Sequence, residues 1–333
     1  MNYIKADLGF KCSRALDIIA AGNANIDITL YVSRTPGPDE AVEADSMLIS
    51  GGGAASNFAI AASRLGCKVG FIGCIGNDEY GKGLLKEFKE EHVDTSRIQL
   101  SESKPTGMVL IIVEHDGSRR MIAFRGANLE FDPAKVDNEY IASASILHIA
   151  SVRPQIAYNL ALKASKVQTL ISYDPGSIAA KQGLQTLKEI LEKTSILFLN
   201  RRELFYLTGS HNVEGALKIL NFGVKVIALK MGGEGSIILT KDNIIHIPVY
   251  KPERIIDTTG AGDVYAAAFI TSLVKGRDII EAGLFASVAA GIKVSRTGAR
   301  KESPYELEVF EKLKRAYNKL KDKVIVRSIK SYS

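Results

Sequence analysis

Cysteine is scarce in this sequence: Cys12, Cys67 and Cys74 are an odd set with no CxxC spacing. That argues against a disulfide framework and against a cysteine zinc site, and it fits a reducing cytoplasm. The histidines are scattered and no HExxH occurs, so a zinc-protease helix is missing. No apolar run approaches the ~20 residues that a membrane span needs, and the stretch 264–274 is far too short. The N-terminal stretch carries Lys5, Asp7, Lys11, Arg14 and Asp17 and does not read as a signal peptide. The expectation is a cytoplasmic protein with an N-terminal extension over 1–16. Proline is low at 9, and the 29 glycines follow no collagen period, so fibrous and Pro-rich readings fail.

A large excess of charge of one sign is also lacking. The 43 basic and 37 acidic residues leave a net +6, and the densest basic runs are the pairs Arg119-Arg120 and Arg201-Arg202. This suits a protein that handles anionic small molecules and gives no basic-aromatic stripe for nucleic acid. With 46% hydrophobic and 24% charged residues in 333, the chain can bury one large core, and disorder is excluded.

Short apolar runs at 17–22, 69–73, 146–149, 170–173, 196–199 and 226–230 read as buried strands. Helical patterns at 54–65, 81–92, 156–166, 184–193, 202–207 and 214–222 separate them, which predicts a mostly parallel sheet flanked by helices. Two stretches, 28–50 and 106–124, alternate with a period of two. The second breaks at His115-Asp116-Gly117-Ser118 and reads as a hairpin. They are expected to form a small β lid inserted into an α/β body over 17–27, 51–105 and 125–320, with a tail over 321–333. Two strong helices, 262–274 and 281–294, close the body.

Four stretches carry candidate chemistry. Asp257-Thr258-Thr259-Gly260-Ala261-Gly262-Asp263 is a glycine-rich turn opening into a helix. Its amides and the helix N-terminus can hold an anion, and Asp263 can take a proton from an attacking hydroxyl. The same residues equally suit a tight turn with an acid that complements the helix dipole. Gly51-Gly52-Gly53-Ala54-Ala55-Ser56-Asn57 opens a second helix, with Asn57 placed to bind hydroxyls. Gly22-Asn23-Ala24-Asn25-Ile26-Asp27 ends the first strand, where ligands of parallel sheets bind, and Asp27 suits two sugar hydroxyls. Asn200-Arg201-Arg202-Glu203 ends another strand; Glu203 suits the water shell of Mg²⁺, while Asn200 and Glu203 also form a capping pair. By contrast, Gly76–Gly83 nearly spells a P-loop but lacks the Ser or Thr and carries Asp78 and Glu79 where phosphates would sit. No GxGxxG or GxSxG occurs.

The order and spacing of these stretches resemble the ribokinase, or PfkB, family of carbohydrate kinases over nearly the whole chain. The resemblance is carried by Gly51–Gly81, by 257–270, by Phe124-Arg125-Gly126-Ala127-Asn128, and by Asn200 with Glu203. It implies a ribokinase-like α/β fold with a β lid, and an ATP-dependent transfer to a primary hydroxyl with Mg²⁺. Asp263 would be the base and Gly260, Ala261 and Gly262 the anion hole. Asp27, Gly52, Gly53, Asn57 and Ser151 would meet the substrate. Asn200, Lys230, Gly232, Gly235 and Gly262 would serve the nucleotide, and Glu203 would hold Mg²⁺ through water. A K⁺ site is implied at Asp257, Thr259, Arg296 and Ala299, with Ser303 as a last ligand, although Arg300-Lys301-Glu302 is one residue longer than expected there. A homodimer through the lid is also implied, with no nucleic acid or membrane partner.

Ribokinases tend to carry Lys where this chain has Gly53, and Glu where it has Ala150-Ser151. Both departures weaken free ribose as the substrate. A simple sugar ranks first. A nucleoside follows, its base resting on Met108, Ile122 or Phe124. An acidic or phosphorylated sugar (2-keto-3-deoxygluconate, fructose 6-phosphate) met by Arg125 and Arg153 comes third. A catalytically silent sugar- or nucleotide-binding protein is the alternative from another class.

Overall fold

The computed structural model describes residues 4, 8–10, 14–300 and 302–331. In chain order the elements are β1 (Leu16–Gly22), β2 (Asn25–Val32), β3 (Ala44–Gly52), α1 (Ala54–Arg64), β4 (Val69–Ile72), β5 (Cys74–Gly76), α2 (Glu79–Glu90) and β6 (Gln99–Ser101). They continue as β7 (Gly107–Glu114), β8 (Arg119–Phe124), α3 (Asn138–Ala142), β9 (Ala144–Ala150), α4 (Pro154–Lys166), β10 (Leu170–Asp174), α5 (Gly176–Ala180), α6 (Gly183–Leu191) and β11 (Ile196–Asn200). The last are α7 (Arg201–Thr208), α8 (Val213–Leu220), β12 (Val226–Lys230), β13 (Ser236–Thr240), β14 (Asn243–Ile247), α9 (Ala261–Val274), α10 (Ile279–Val294), α11 (Glu306–Lys321) and β15 (Ile325–Ser328).

The central sheet runs β15-β14-β13-β12-β11-β10-β9-β1-β4. Strands β4 through β12 in that row are parallel, whereas β13, β14 and β15 join antiparallel. In β1, Ile18 and Ala20 join the apolar cluster on one face while Ile19 and Ala21 join the cluster on the other. A strand buried on both sides has no room for polar alternation, which is why these strands read as plain apolar runs. Helices α1, α9, α10 and α11 cover the first face; α4, α6 and α8 cover the second. Strand β1 lies between β4 and β9, so the chain reverses direction across the sheet at β1, and the crevice beyond its carboxyl end is where such sheets bind ligands.

The second, small separate sheet, β3-β2-β7-β8, is built from the two stretches expected to form a lid. Its strands begin nearer the body than the sequence suggests: β2 starts at Asn25, β3 runs to Gly52 and β7 starts at Gly107. Residues 325–328, read from sequence as tail, form β15 and complete the edge of the central sheet against β14. Strands β13 and β14 are a further hairpin that the sequence reading passes over. Asp78 of the near-P-loop caps α2, its carboxylate accepting from Gly81 N at 2.7 Å and Thr106 Oγ1 at 2.6 Å, so that turn is structural. Of the expected extension, Leu8 is buried against the core, and Cys12 lies outside the described residues.

Candidate active site

The strand ends deliver the polar residues. Asp174 ends β10, Asn200 ends β11 and Lys230 ends β12; Gly22 ends β1 and Ser151 follows β9. Lys230 Nζ bonds Asp174 Oδ2 at 2.7 Å. Burial works against its charge, but Asp174 and Glu203 more than offset it and hold the ammonium protonated. Glu203 is buried, and its carboxyl is pushed up to about 7 by that burial and by the charge of Asp174. It forms a complete capping box with Asn200: Asn200 N donates to Glu203 Oε2, and Glu203 N donates to Asn200 Oδ1, both at 2.9 Å. The capping reading of this pair therefore holds.

The turn before α9 sits next to these strand ends. Gly260 adopts φ +75°, and a Cβ there would lie 2.6 Å from the Ala299 carbonyl, so only glycine fits without strain. At Gly262 a Cβ would lie 3.3 Å from Lys230 Nζ, which puts this turn beside the half-buried ammonium. Asp263, in the first turn of α9, accepts from Asn57 Nδ2 at 2.8 Å. Withdrawal from water raises its carboxyl to about 7, against the opposing pull of Asn57 and Lys230.

The residues that the resemblance assigns to the substrate converge near the start of β2 and the end of β3. Asp27 is buried, its Oδ1 has no hydrogen-bond partner among the described residues, and burial raises its pKa to about 6. A Cβ on Gly52 would overlap the Asp27 carboxylate, so the glycine is required by contact. Asn57 is buried with both ends of its amide used, on Asp263 and on Arg300 Nε at 3.3 Å. Ser151 has φ +54°, donates its amide to Asp174 O at 2.9 Å and accepts Asn23 Nδ2 on its carbonyl at 3.1 Å. A cavity of about 250 Å³ separates the lid from the turn, lined by Asp27, Thr29, Leu48, Ile111, Arg119 and Thr259.

Strand pairing corrects one expectation. Met108 pairs with Ile26 and with Phe124, and Leu110 pairs with Ile122, whereas Asp27 pairs with Val109. Paired residues share a face and neighbours along a strand alternate, so Met108, Ile122 and Phe124 lie on the lid face opposite Asp27. They do not line a base pocket beside it.

Gly232 and Gly235 close the turn between β12 and β13, where Met231 N bonds Gly235 O at 2.9 Å. A Cβ at Gly232 would meet nothing within 4 Å, so the backbone is open on that side. Glu234 of this turn pairs with Arg201 at the start of α7.

The implied K⁺ set does not fit. Lys293 places its ammonium on the Asp257 carbonyl at 2.8 Å and within 3.4 Å of the Arg296 carbonyl. Asp257 Oδ1 accepts Thr259 N and Oγ1 at 2.8 and 2.7 Å, and Oδ2 accepts Gly298 N at 2.9 Å. Arg119 adds a second cation 3.7 Å from Oδ1. The oxygens of Asp257 and Arg296 and the Thr259 hydroxyl, all assigned to an ion, already face donors.

Two residues escape the sequence reading. Arg300 is fully buried and donates to Gly52 O and Ser56 Oγ at 2.6 Å, and to Glu87 Oε2 at 2.6 Å, so it pins the glycine turn against α1 and α2. Asp174 partners Lys230. A polar residue ending an apolar run just before Pro175 was the available signal for Asp174; for Arg300 there was none, since it sits in a charged stretch that reads as surface.

Residues 15–305 match the pfkB family of carbohydrate kinases. A nucleoside kinase of Methanocaldococcus jannaschii is 30% identical over 305 residues, covering 90% of this chain and 97% of that protein. An ATP-dependent ribose-1-phosphate kinase of Halopiger xanaduensis is 30% identical over 284 residues, covering 85% and 93%. The structure of Arabidopsis thaliana ribokinase complexed with ribose and ATP superposes with a TM-score of 0.83 at 27% identity, covering 90% of this chain and 99% of that one.

Proposed function

The chain belongs to the pfkB family of carbohydrate kinases, and on that premise we propose that Asp263 activates the primary hydroxyl of a ribose-like sugar for phosphorylation. Its class is that of an ATP-dependent carbohydrate kinase. The observation that carries the reading is the Asp263 carboxylate, oriented by Asn57 at 2.8 Å, at the head of α9 beside the Gly260–Gly262 amides and Lys230.

Phosphoryl transfer asks mainly for alignment and charge neutralisation. Asp27, with a spare buried oxygen, holds the sugar by its hydroxyls; Gly52 lets that carboxylate come close. Asp263 accepts the proton of the attacking hydroxyl. The amides of 260–262 and the α9 dipole face the charge that spreads over the phosphoryl oxygens, and Lys230 adds a full positive charge there. ATP supplies the phosphoryl group, and Mg²⁺ when bound neutralises its charge. The residues present suit that ion, because Asp174, Glu203 and Asp263 together exceed the single ammonium of Lys230. Asn200 and the open turn at Gly232 and Gly235 serve the nucleotide.

A second reading narrows the acceptor to a sugar that already bears an anionic group. Arg125 is half-buried, and its guanidinium is held below its usual pKa by burial and by the neighbouring Arg153. Neither forms an ion pair with another described residue. Both flank the turn after β1: Asn128, three residues past Arg125, bonds Ala24 and Asn25, and Ser151, two before Arg153, bonds Asn23. Two unpaired arginines of like charge, side by side, suit one phosphate or carboxylate. The Halopiger relative, a ribose-1-phosphate kinase, agrees with this reading.

ATP consumption across ribose, ribose 1-phosphate, nucleosides, fructose 6-phosphate and 2-keto-3-deoxygluconate tests both. Turnover with none of them, alongside measurable sugar binding, refutes the kinase and favours a sensor. For the second reading, Arg125→Ala raises KM for the anionic substrate and leaves neutral sugars unchanged. An equal rise for both refutes the arginine subsite. A dimer through the lid is also proposed, because Met47, Ile49, Ile122 and Phe124 form an exposed apolar stripe on the face opposite Asp27.

A further inference from the structure

Helix α10 is apolar nearly all round, and Lys293 stands in its last turn with no exposed surface. A buried ammonium is costly unless its protons find acceptors. Here it bridges two loops: it donates to the carbonyl of Asp257 at 2.8 Å, reaches the carbonyl of Arg296 at 3.4 Å and stands 3.9 Å from Asp257 Oδ2. These are the loop that leads into the anion turn and the loop whose Ala299 carbonyl closes on Gly260. The ammonium therefore ties together the two segments that shape the backbone at 257–262.

Those same atoms are the ones a monovalent cation would need. A solution ion would have to share the Asp257 and Arg296 oxygens with Lys293, with Arg119 on the other side bonded to Thr259 Oγ1 at 2.8 Å and Thr258 Oγ1 at 3.1 Å. The acceptors of the implied set that remain are the Ala299 carbonyl, set against Gly260, and the Ser303 hydroxyl, buried without a hydrogen-bond partner among the described residues. Two oxygens do not replace the hydration shell of an ion. We propose that Lys293 is a built-in substitute for the monovalent cation: it supplies a fixed positive charge beneath the anion turn, so this kinase works without K⁺. Lys293 touches neither sugar nor phosphate in this scheme and is a positioning residue. The turnover arm of the test rests on the kinase reading; the stability arm does not.

The experiment compares the wild-type chain in KCl, NaCl and choline chloride at one ionic strength, following thermal unfolding and turnover. The expected result is the same Tm and the same rate in all three. A Tm or rate that rises selectively with K⁺ overturns the proposal, whatever the sugar. In Lys293→Ala, which frees an ammonium-sized space lined by carbonyls, turnover in choline chloride falls roughly tenfold or more. Part of the lost rate and Tm then returns on adding about 100 mM KCl or ethylammonium chloride, by binding to the folded state. A Lys293→Ala protein that matches wild type in every salt also overturns it. If that variant does not fold, the wild-type salt comparison decides alone. Absence of turnover with every sugar removes the kinase reading and leaves the Tm comparison intact.

Discussion

At the carboxyl ends of β10 to β12 and on the helices that face them, side chains are few, buried or half-buried and mutually bonded: Lys230 with Asp174, Glu203 with Asn200, Asp263 with Asn57. In the lid the reverse holds. Its outer face leaves Met47, Ile122 and Phe124 more than half exposed, and its charged pairs, such as Arg34 with Glu40, stand in water. The floor thus holds a fixed constellation whose polar cost is met internally, while the lid is stabilised mainly by its own strand pairing and has a face to spare. A chemical step needs the first kind of surface, which does not reorganise as charge develops; closure or association needs the second.

The sharpest way to break that contrast is to change the floor by one atom. Asp263→Asn keeps the Asn57 contact's shape and removes the base, and turnover is expected to fall by ~10²–10⁴-fold. The same variant should be more stable than wild type at pH 8. The sign follows from proton binding: the folded carboxyl, raised to about 7 from 3.8, holds its proton where the unfolded one has lost it. Its contribution to stability is therefore present below about pH 4 and is lost as pH rises through about 7. A variant with unchanged Tm at pH 8, or with near-normal turnover, contradicts the assignment.

Next in size is Gly52→Ala, whose Cβ would overlap the Asp27 carboxylate. Displacing that carboxylate should lower kcat/KM for the sugar by about 10²-fold while the KM for ATP changes little. Equal damage to both would mean the turn is only a structural support. A smaller effect comes from protons alone: kcat/KM should fall about tenfold per unit below pH 7, as Asp263 in the free protein takes up its proton. A profile flat down to pH 5 contradicts a base of that pKa. The smallest expected change in turnover belongs to the lid: Ile122→Asp should split the proposed dimer, seen by sedimentation, with at most about a threefold change in kcat. A loss as large as that of Asp263→Asn would erase the distinction between the two surfaces.

The fold was largely legible because buried parallel strands and glycine-opened helices leave local marks: the apolar runs at 17–22 and 226–230, and the turns at 51–53 and 260–262. What escaped is non-local. Asp174 and Lys230 are 56 residues apart, and nothing in either neighbourhood announces the other. Arg300 sits in a stretch whose charges predict solvent, yet it is fully buried because four oxygens meet it. That Met108, Ile122 and Phe124 lie opposite Asp27, not beside it, is not legible either, because alternation gives two faces without saying which one looks inward. Asn200 suits both a cap and a ligand, and the structure gives its Oδ1 to the Glu203 amide; the Asn57 amide is spent at both ends, on Asp263 and on Arg300.

The bond from Arg300 to the Gly52 carbonyl spans 248 positions of the chain. During synthesis the strands that flank β1 can pair long before residue 300 leaves the ribosome, so the growing polypeptide holds a sheet without a finished sugar pocket. A sugar is therefore expected to assist folding chiefly once residue 300 has emerged, and truncations ending before 300 are expected to form the sheet yet hold a sugar less well.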